Sequence, residues 1–435
     1  MFDFIIIGSG PGGLALAYKL KARNYKVAVV EKDKWGGTCP NYGCDPTKVM
    51  MAVVEAKQHA DQLFGEGLSG GLKIDWESMR QRKLEITDPY AERTFNGLIK
   101  SGIECIYGKA KFTSSEELVV DGRVYSARKY IIATGSRARH LSIEGAEYLN
   151  DSNHFLNLEH LPQNITFLGT GPVGLELAQL AKGAGAHVTI IAQSNLKIAH
   201  FDKEIGEAYL ENLKSLGIEF KSQILISKVE KTSKGLILTG NNGFTLETDF
   251  VVEGVGRVPN IDLLNLDVLG VETSSSGVIV DEFLQSSNPN IYALGDVVAK
   301  SVPHLTPVSE FEGNYLGDNL EMENPKMINY PVIPSVVYGS TKMAEVGILE
   351  GKNIKVKFFD TSSWYSYRRI ADPVAKVKVA INDQKELVGA SIISNVADEL
   401  VNLITILIQK KVSLEQLDQM ILAYPTIASD LNYFF

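Results

Sequence analysis

The sequence predicts an α/β protein made of two copies of one strand–turn–helix–strand unit, followed by a smaller α+β domain. Three observations predict it. The apolar run Phe4-Ile5-Ile6-Ile7 leads into a glycine-rich turn, Gly8-Ser9-Gly10-Pro11-Gly12-Gly13. A near copy, Gly169-Thr170-Gly171-Pro172-Val173-Gly174, follows Ile165-Thr166-Phe167-Leu168. Past about Met327 such turns give way to alternating strands, as over 375–380, and to an amphipathic helical stretch over Ala397–Lys410.

Each element of the first unit has a physical reason. The run 4–7 suits a buried parallel strand. Gly8 permits the tight turn, Gly10 lets the backbone approach a pyrophosphate, and Gly13 allows close packing of helix on strand. The helix over 14–22 presents free N–H groups and a positive dipole end to phosphates. A second strand, 27–30, ends at Glu31, 18 positions after Gly13, where a carboxylate can accept hydrogen bonds from a ribose diol. Together these read as a Rossmann-like dinucleotide-binding domain. The second unit repeats the order, with a helix over 175–182 and a strand over 187–191. The same count of 18 from Gly174 lands on Ala192, which is not an acid. Two such domains imply two dinucleotides, or one protein that hands electrons between them.

Smaller signals mark the exits. Residues 130–133 read as a strand ending at Thr134-Gly135, a crossover between domains. Residues 250–254 leave the second unit in the same way at Val255-Gly256-Arg257. A further strand ends in Leu294-Gly295-Asp296. The expected boundaries are 1–145 completed by 261–327, then 146–260, then 328–435.

The chain of 435 residues, 45% hydrophobic, is long and apolar enough for two or three packed domains. Its net charge of −9 argues against a nucleic-acid or membrane-surface partner, either of which calls for a basic field. Met1 runs straight into a strand, with no basic n-region or cleavage site, so no signal peptide is expected. Nor is there a run of about 18 apolar residues, so no membrane span is expected. Three cysteines, two of them close together, fit a reducing cytoplasm and a working redox pair.

That pair lies in Gly36-Gly37-Thr38-Cys39-Pro40-Asn41-Tyr42-Gly43-Cys44-Asp45-Pro46-Thr47-Lys48. Pro46 favours a helix start, placing Cys44 near a helix N-terminus, which lowers thiol pKa. Four intervening residues can close a small disulfide ring if the chain doubles back. A metal site is not expected, because no histidine or further cysteine lies nearby to complete four ligands. Cys105, on a strand-like stretch, is expected as a buried core thiol without chemistry.

In this order of motifs the chain resembles the class I pyridine nucleotide–disulfide oxidoreductases: glutathione reductase, lipoamide dehydrogenase, mercuric reductase and their relatives. The resemblance covers essentially the whole chain. It includes Gly-Gly-Thr-Cys-x4-Cys-x-Pro-Thr-Lys, Ala133-Thr134-Gly135-Ser136, Glu176 in the second helix, Gly256-Arg257-Val258-Pro259-Asn260, Leu294-Gly295-Asp296 and a C-terminal interface domain. It implies an FAD-binding first domain, an NAD(P)-binding second domain and a C-terminal α+β dimerisation domain. By the same resemblance Cys44 is the charge-transfer thiol against the flavin, and Cys39 the interchange thiol that meets the substrate. Lys48 sits near the flavin N5 and pairs with Glu176. Gly8, Gly10, Gly13, Glu31, Thr38, Gly135, Asp296 and Thr306 line the FAD site. Gly169, Gly171, Gly174, Gln193 and Gly256 serve the nicotinamide cofactor, and Lys197, near Ala192 in sequence, is a candidate to meet a phosphate. The family's members are homodimers in which each C-terminal domain completes the partner's active site.

The chain departs from its disulfide-reducing relatives near the C-terminus. There a His-Pro-Thr, with a Glu five residues after the His, supplies the acid–base couple for the substrate thiol. Here Tyr424 takes the His position, Ser429 the Glu position, and Asp430 comes one residue late. A phenol titrating near pH 10 donates a proton but is a poor base at neutrality. Mercuric reductases resemble the chain in carrying a tyrosine there and in the stretch 188–194, where Gln193 replaces a usual arginine. They end in Cys-Cys, where this sequence reads Asn432-Tyr433-Phe434-Phe435, and the N-terminal metal-binding domain that many of them carry is not expected here.

Three readings follow. The leading one is a cytoplasmic, homodimeric FAD enzyme that uses NADPH, in preference to NADH, to reduce a non-standard disulfide or related small oxidant such as a quinone. The second is a mercuric or cupric ion reductase using the same cysteines. The third is a flavin-bound redox sensor without turnover.

Overall fold

The computed structural model describes residues 1–114 and 117–434. The chain divides into two compact units. Unit 1 comprises 1–46, 82–139 and 256–329; unit 2 comprises 47–81, 140–255 and 330–435.

Unit 1 is built on a five-stranded parallel sheet. Its order is Ile291–Ala293, Ala127–Ile132, Phe2–Ile7, Val27–Glu31 and Glu104–Tyr107. The central strands are apolar on both faces because helices and loops cover both, which is why they read as unbroken hydrophobic runs. Pro11–Ala22 is the helix after the first turn, with Pro11 at its first position. It packs against Thr306–Asn319, closely enough that a Cβ on Gly12 would lie 2.5 Å from the Ser309 carbonyl oxygen.

Unit 2 repeats this plan in a four-stranded parallel sheet ordered Phe250–Glu253, Asn164–Leu168, His187–Ile191 and Ile218–Lys221. The repeat extends well beyond the turn. In both units an antiparallel three-stranded meander, 110–125 or 226–248, precedes the strand that returns beside the first. The C-terminal part adds a five-stranded sheet, all of whose pairings are antiparallel, covered by Ala397–Lys410.

The two units group the chain in two places otherwise than the expected boundaries do, and one thiol is less buried than expected. Residues 47–81, given to the first domain, belong to unit 2. Met50, Met51, Val54, Trp76 and Met79 bury their side chains in one core with Phe155, Phe167 and Leu175. Gly256, given to the second domain, belongs to unit 1, where Arg257–Pro259 pairs with Ser136–Ala138. Cys105 is half-buried rather than buried, because Glu104–Tyr107 is the edge strand of its sheet. Burial still pushes its thiol up to about 11, with Glu104 adding to the rise.

No helix among the described residues is long and apolar enough to cross a membrane. Phe435, the last residue of the expected C-terminal signature, lies outside the described residues.

Candidate active site

The two glycine turns are alike in what they close and what they leave open. A Cβ on Gly8 would lie 2.2 Å from the Ala133 oxygen, and one on Gly13 2.3 Å from the Gly8 oxygen. The corresponding distances are 2.5 Å at Gly169, to the Gly254 oxygen, and 2.9 Å at Gly174, to the Gly169 oxygen. Gly10 instead meets nothing within 4 Å, and Gly171 only an ordinary contact at 3.7 Å. Each turn is therefore locked by its outer glycines and open at its middle one, beside the first-turn amides of a helix. That is the cradle a pyrophosphate needs, so the residues present fit a dinucleotide at both turns.

The strand ends differ. Gly8 N–H donates to the Val30 oxygen and Gly169 N–H to the Ile191 oxygen, both at 2.8 Å, so the next residues, Glu31 and Ala192, correspond in space. Glu31 is nearly buried, and its Oε2 accepts from Ser9 N–H at 3.0 Å and Ser9 Oγ at 2.7 Å. Its Oε1 accepts from the Lys32 and Asp33 amides at 2.8 and 2.9 Å. Four protein donors thus fill the acceptor sites expected to serve a ribose, and a diol must compete with Ser9 for them. Ala192 is buried, while Gln193 and Lys197 beyond it are exposed.

The motifs around Gly135, Gly256 and Asp296 meet in unit 1. The Arg257 guanidinium donates to Ser136 Oγ at 2.8 Å and to the Ser136 carbonyl at 2.6 Å. Ser136 Oγ donates in turn to Asp296 Oδ2 at 3.2 Å. Thr134 and Asn260 exchange two further side-chain bonds, so the two chain crossings run tied together. Gly295 N–H donates to Glu312 Oε2 at 2.6 Å, and the same carboxylate pairs with Lys300 in an almost fully buried ion pair. Sequence reasoning missed Lys300 and Glu312, since a charge usually faces water, whether in a loop as Lys300 is or in a helix as Glu312 is.

The cysteines also lie in unit 1. Thr38–Tyr42 is a short helix holding Cys39, and Cys44 opens the helix Cys44–Gln62. Both are free thiols. The neighbouring Cys44, with burial, pushes the Cys39 thiol far above the usual range. Cys44 Sγ lies 3.9 Å from Thr306 Oγ1, at the start of the Thr306–Asn319 helix. Cys39 Sγ lies 4.0 Å from Asp45 Oδ1, a neighbour the sequence reading did not single out. Thr38 is exposed beside them.

Within unit 2, Lys48 Nζ donates to Glu176 Oε2 at 2.6 Å and sits 4.4 Å from the centroid of the Tyr338 ring. Tyr424 joins none of these groups in its own chain. It is 73% exposed and stacks on Tyr365, with ring centroids 6.2 Å apart. Asp430, one residue after the glutamate position, is itself buried, and burial pushes its carboxyl up.

Comparison with known proteins agrees with this geometry. The family model described as pyridine nucleotide-disulphide oxidoreductase matches residues 2–313, and that family's dimerisation domain matches residues 333–433. Dihydrolipoyl dehydrogenase of Bacillus subtilis (strain 168) is 28% identical over 98% of this chain and 96% of its own. Mercuric reductase of Staphylococcus aureus is 29% identical over 99% of this chain and 81% of its own. The solved structure of the HOCl-induced flavoprotein disulfide reductase RclA from Escherichia coli shares the fold. It superposes with a TM-score of 0.90 at 23% identity, covering 100% of this chain and 99% of that one. Two glycine cradles, a neighbouring thiol pair and a C-terminal dimerisation domain thus have one explanation: the chain is an enzyme and belongs to the pyridine nucleotide-disulphide oxidoreductase family.

Proposed function

We propose that the chain is an NADPH-dependent FAD enzyme that reduces a disulfide or a related small oxidant through Cys39 and Cys44. The observation that carries this reading is the pair itself, two neighbouring free thiols with one at a helix N-terminus. FAD, held in unit 1 by the turn at Gly8, Gly10 and Gly13 and by the Asp296 corner, supplies the link between a two-electron hydride donor and the cysteines. Residues 140–255 hold the nicotinamide dinucleotide at Gly169, Gly171 and Gly174. Lys48, oriented by Glu176, serves the flavin, and Thr306 orients Cys44. Cys39 meets the acceptor. The dimerisation domain supports a homodimer, to which the exposed Tyr365, Ile406, Ile421 and Tyr424 bring apolar surface.

The preference for NADPH rests on Ala192. An acid there binds the adenosine ribose of NADH and repels a 2′-phosphate; alanine does neither, and Lys197 supplies a nearby cation.

A second reading, reduction of a thiophilic metal ion as substrate, is favoured by the similarity to mercuric reductase over nearly the whole chain. Steady-state oxidation of NADPH and NADH against low-molecular-weight disulfides, Hg(II), Cu(II) and quinones separates the readings. The disulfide reading expects turnover with at least one disulfide, lost in both Cys39→Ser and Cys44→Ser. Turnover confined to metal ions moves the assignment to the second reading. Turnover that survives both substitutions overturns the role of the pair.

A further inference from the structure

Disulfide exchange starts from a thiolate, yet the environment of Cys39 opposes one. The neighbouring Cys44, burial and the charges of Cys44 and Asp45 hold the proton on its sulfur, against an opposing effect of Thr306. A base must take that proton as the sulfur attacks. Tyr424, in the position where relatives carry a histidine, is a phenol and a poor base at neutrality.

Asp45 Oδ1, 4.0 Å from Cys39 Sγ, is the acceptor of a hydrogen bond from that thiol. Asp45 follows Cys44 in the first turn of the Cys44–Gln62 helix and is exposed. We propose that Asp45 is the general base for Cys39, supplied by the same subunit. The proposal rests on the disulfide-reductase reading for its substrate and on the Cys39–Asp45 geometry for its residue. Moving a proton from Cys39 to Asp45 leaves the pair's total charge unchanged. It therefore avoids the second negative charge that ionising Cys39 into solvent would create beside the carboxylate. The other ionisable groups in this field are Cys44 and Tyr90, with Glu310 beyond Tyr90.

Cys39 gives its proton to Asp45 as its sulfur attacks one sulfur of the acceptor disulfide. The acceptor S–S bond breaks, its electron pair leaves on the second sulfur, and that thiolate takes the proton back from Asp45. The Cys44 thiolate then attacks Cys39 Sγ, closing the Cys39–Cys44 disulfide and releasing the second substrate thiolate, which takes a proton from water. The dithiol loses two electrons and the acceptor becomes two thiols.

The test is the rate at which iodoacetamide alkylates Cys39 in the NADPH-reduced holoenzyme, read by peptide mass from pH 5 to 9. This probe needs no disulfide substrate, so its result is separable from failure of the acceptor panel. Asp45→Asn should slow alkylation at pH 7 by about tenfold or more, a partial share of the about 10²–10⁴-fold that a positioned base contributes. Asp45→Glu should recover part of the rate, and bound FAD in the visible spectrum reports that each variant has folded. A carboxylate that merely repels a thiolate predicts the opposite sign, because removing its charge would speed alkylation. An unchanged or faster Asp45→Asn therefore overturns the proposal.

Discussion

Glu176 divides its carboxylate between two donors: Oε2 takes the Lys48 ammonium at 2.6 Å and Oε1 takes the Tyr338 amide at 3.0 Å. The lysine is held against the Tyr338 ring by the residue that also fixes the Tyr338 backbone. Glu176→Ala removes both charge-assisted bonds. It should lower stability by about 2 kcal/mol in denaturant unfolding, the middle of the range for hydrogen bonds to a charged group. Glu176→Gln keeps an acceptor for one donor and should lose less. In stopped flow, both variants should slow flavin reduction by NADPH. A rate equal to wild type in Glu176→Ala would remove Lys48 orientation from the mechanism.

The openness at Gly10 makes the FAD assignment testable apart from activity. An alanine methyl there meets no protein atom within 4 Å, and the backbone φ of −66° suits any residue. Gly10→Ala should therefore leave the melting temperature of the apoprotein unchanged. The methyl would stand where a pyrophosphate must approach, and FAD affinity should fall at least about tenfold, or about 1.4 kcal/mol. Gly8→Ala, forced against Ala133 at a φ of +113°, should instead destabilise the apoprotein itself. Equal FAD affinity in Gly10→Ala and wild type would place the cofactor elsewhere.

Lys300 and Glu312 form a buried pair whose carboxylate also holds the Gly295 amide, next to Asp296. Lys300→Met leaves that carboxylate without its cation, a change that costs about 3–5 kcal/mol where ion pairs are this buried. The double variant Lys300→Met/Glu312→Leu should recover part of the stability but not FAD retention, since the Gly295 turn loses its anchor. Retention of FAD on gel filtration checks this. A double variant that keeps FAD as wild type does would separate the pair from the cofactor site.

Much of this was legible in sequence for specific reasons. Parallel strands buried on both faces read as apolar runs, and glycine turns bound them, so His187–Ile191 and Ala397–Lys410 fall where periodicity placed them. What could not be read depends on side chains meeting across the fold. Ser9 filling the acceptors of Glu31 requires the turn to fold back on the strand end. Asp45 lay in view within the cysteine motif, but its approach to Cys39 depends on the short Thr38–Tyr42 helix reversing the chain. The apolar face of 47–81 carries no signal of which core it will join.

On the proposed reading, Ala192 sets the nicotinamide choice. It corresponds to Glu31 through matched backbone bonds, and Thr170 stands where Ser9 stands. Ala192→Glu would place a carboxylate within reach of Thr170 and the Gln193 and Ser194 amides, the kinds of donor that satisfy Glu31. The ratio of kcat/KM for NADPH over NADH should exceed 1 in the wild type and fall at least about tenfold in the variant, a shift of about 1.4 kcal/mol. A wild type faster with NADH, or a ratio unmoved by Ala192→Glu, sinks the assignment.

Tyr424 is where this chain parts from its histidine-bearing relatives, and two roles for it predict different outcomes. Its ring, largely exposed and stacked on Tyr365, lies on the C-terminal part of the chain that matches the dimerisation domain. In the first role it only packs there. In the second its hydroxyl reaches the partner's Cys39 and donates a hydrogen bond to the leaving thiolate or contacts a thiolate-bound metal. Tyr424→Phe keeps the ring and removes only the hydroxyl, so packing survives while acid catalysis does not. Positioned acids contribute typically about 10²–10⁴-fold, and a partial contribution still predicts a fall in acceptor turnover of about tenfold, with flavin reduction near wild type. Tyr424→His is the complementary test, since an imidazole titrates near neutrality and works as both acid and base. It should raise activity toward ordinary disulfides, more so with Ser429→Glu to orient the ring, because Asp430 is itself buried. If Asp45 already serves Cys39 as base, the gain from Tyr424→His should be larger in the Asp45→Asn background than in wild type. Unchanged acceptor turnover in Tyr424→Phe across the whole panel leaves Tyr424 as packing at the subunit interface.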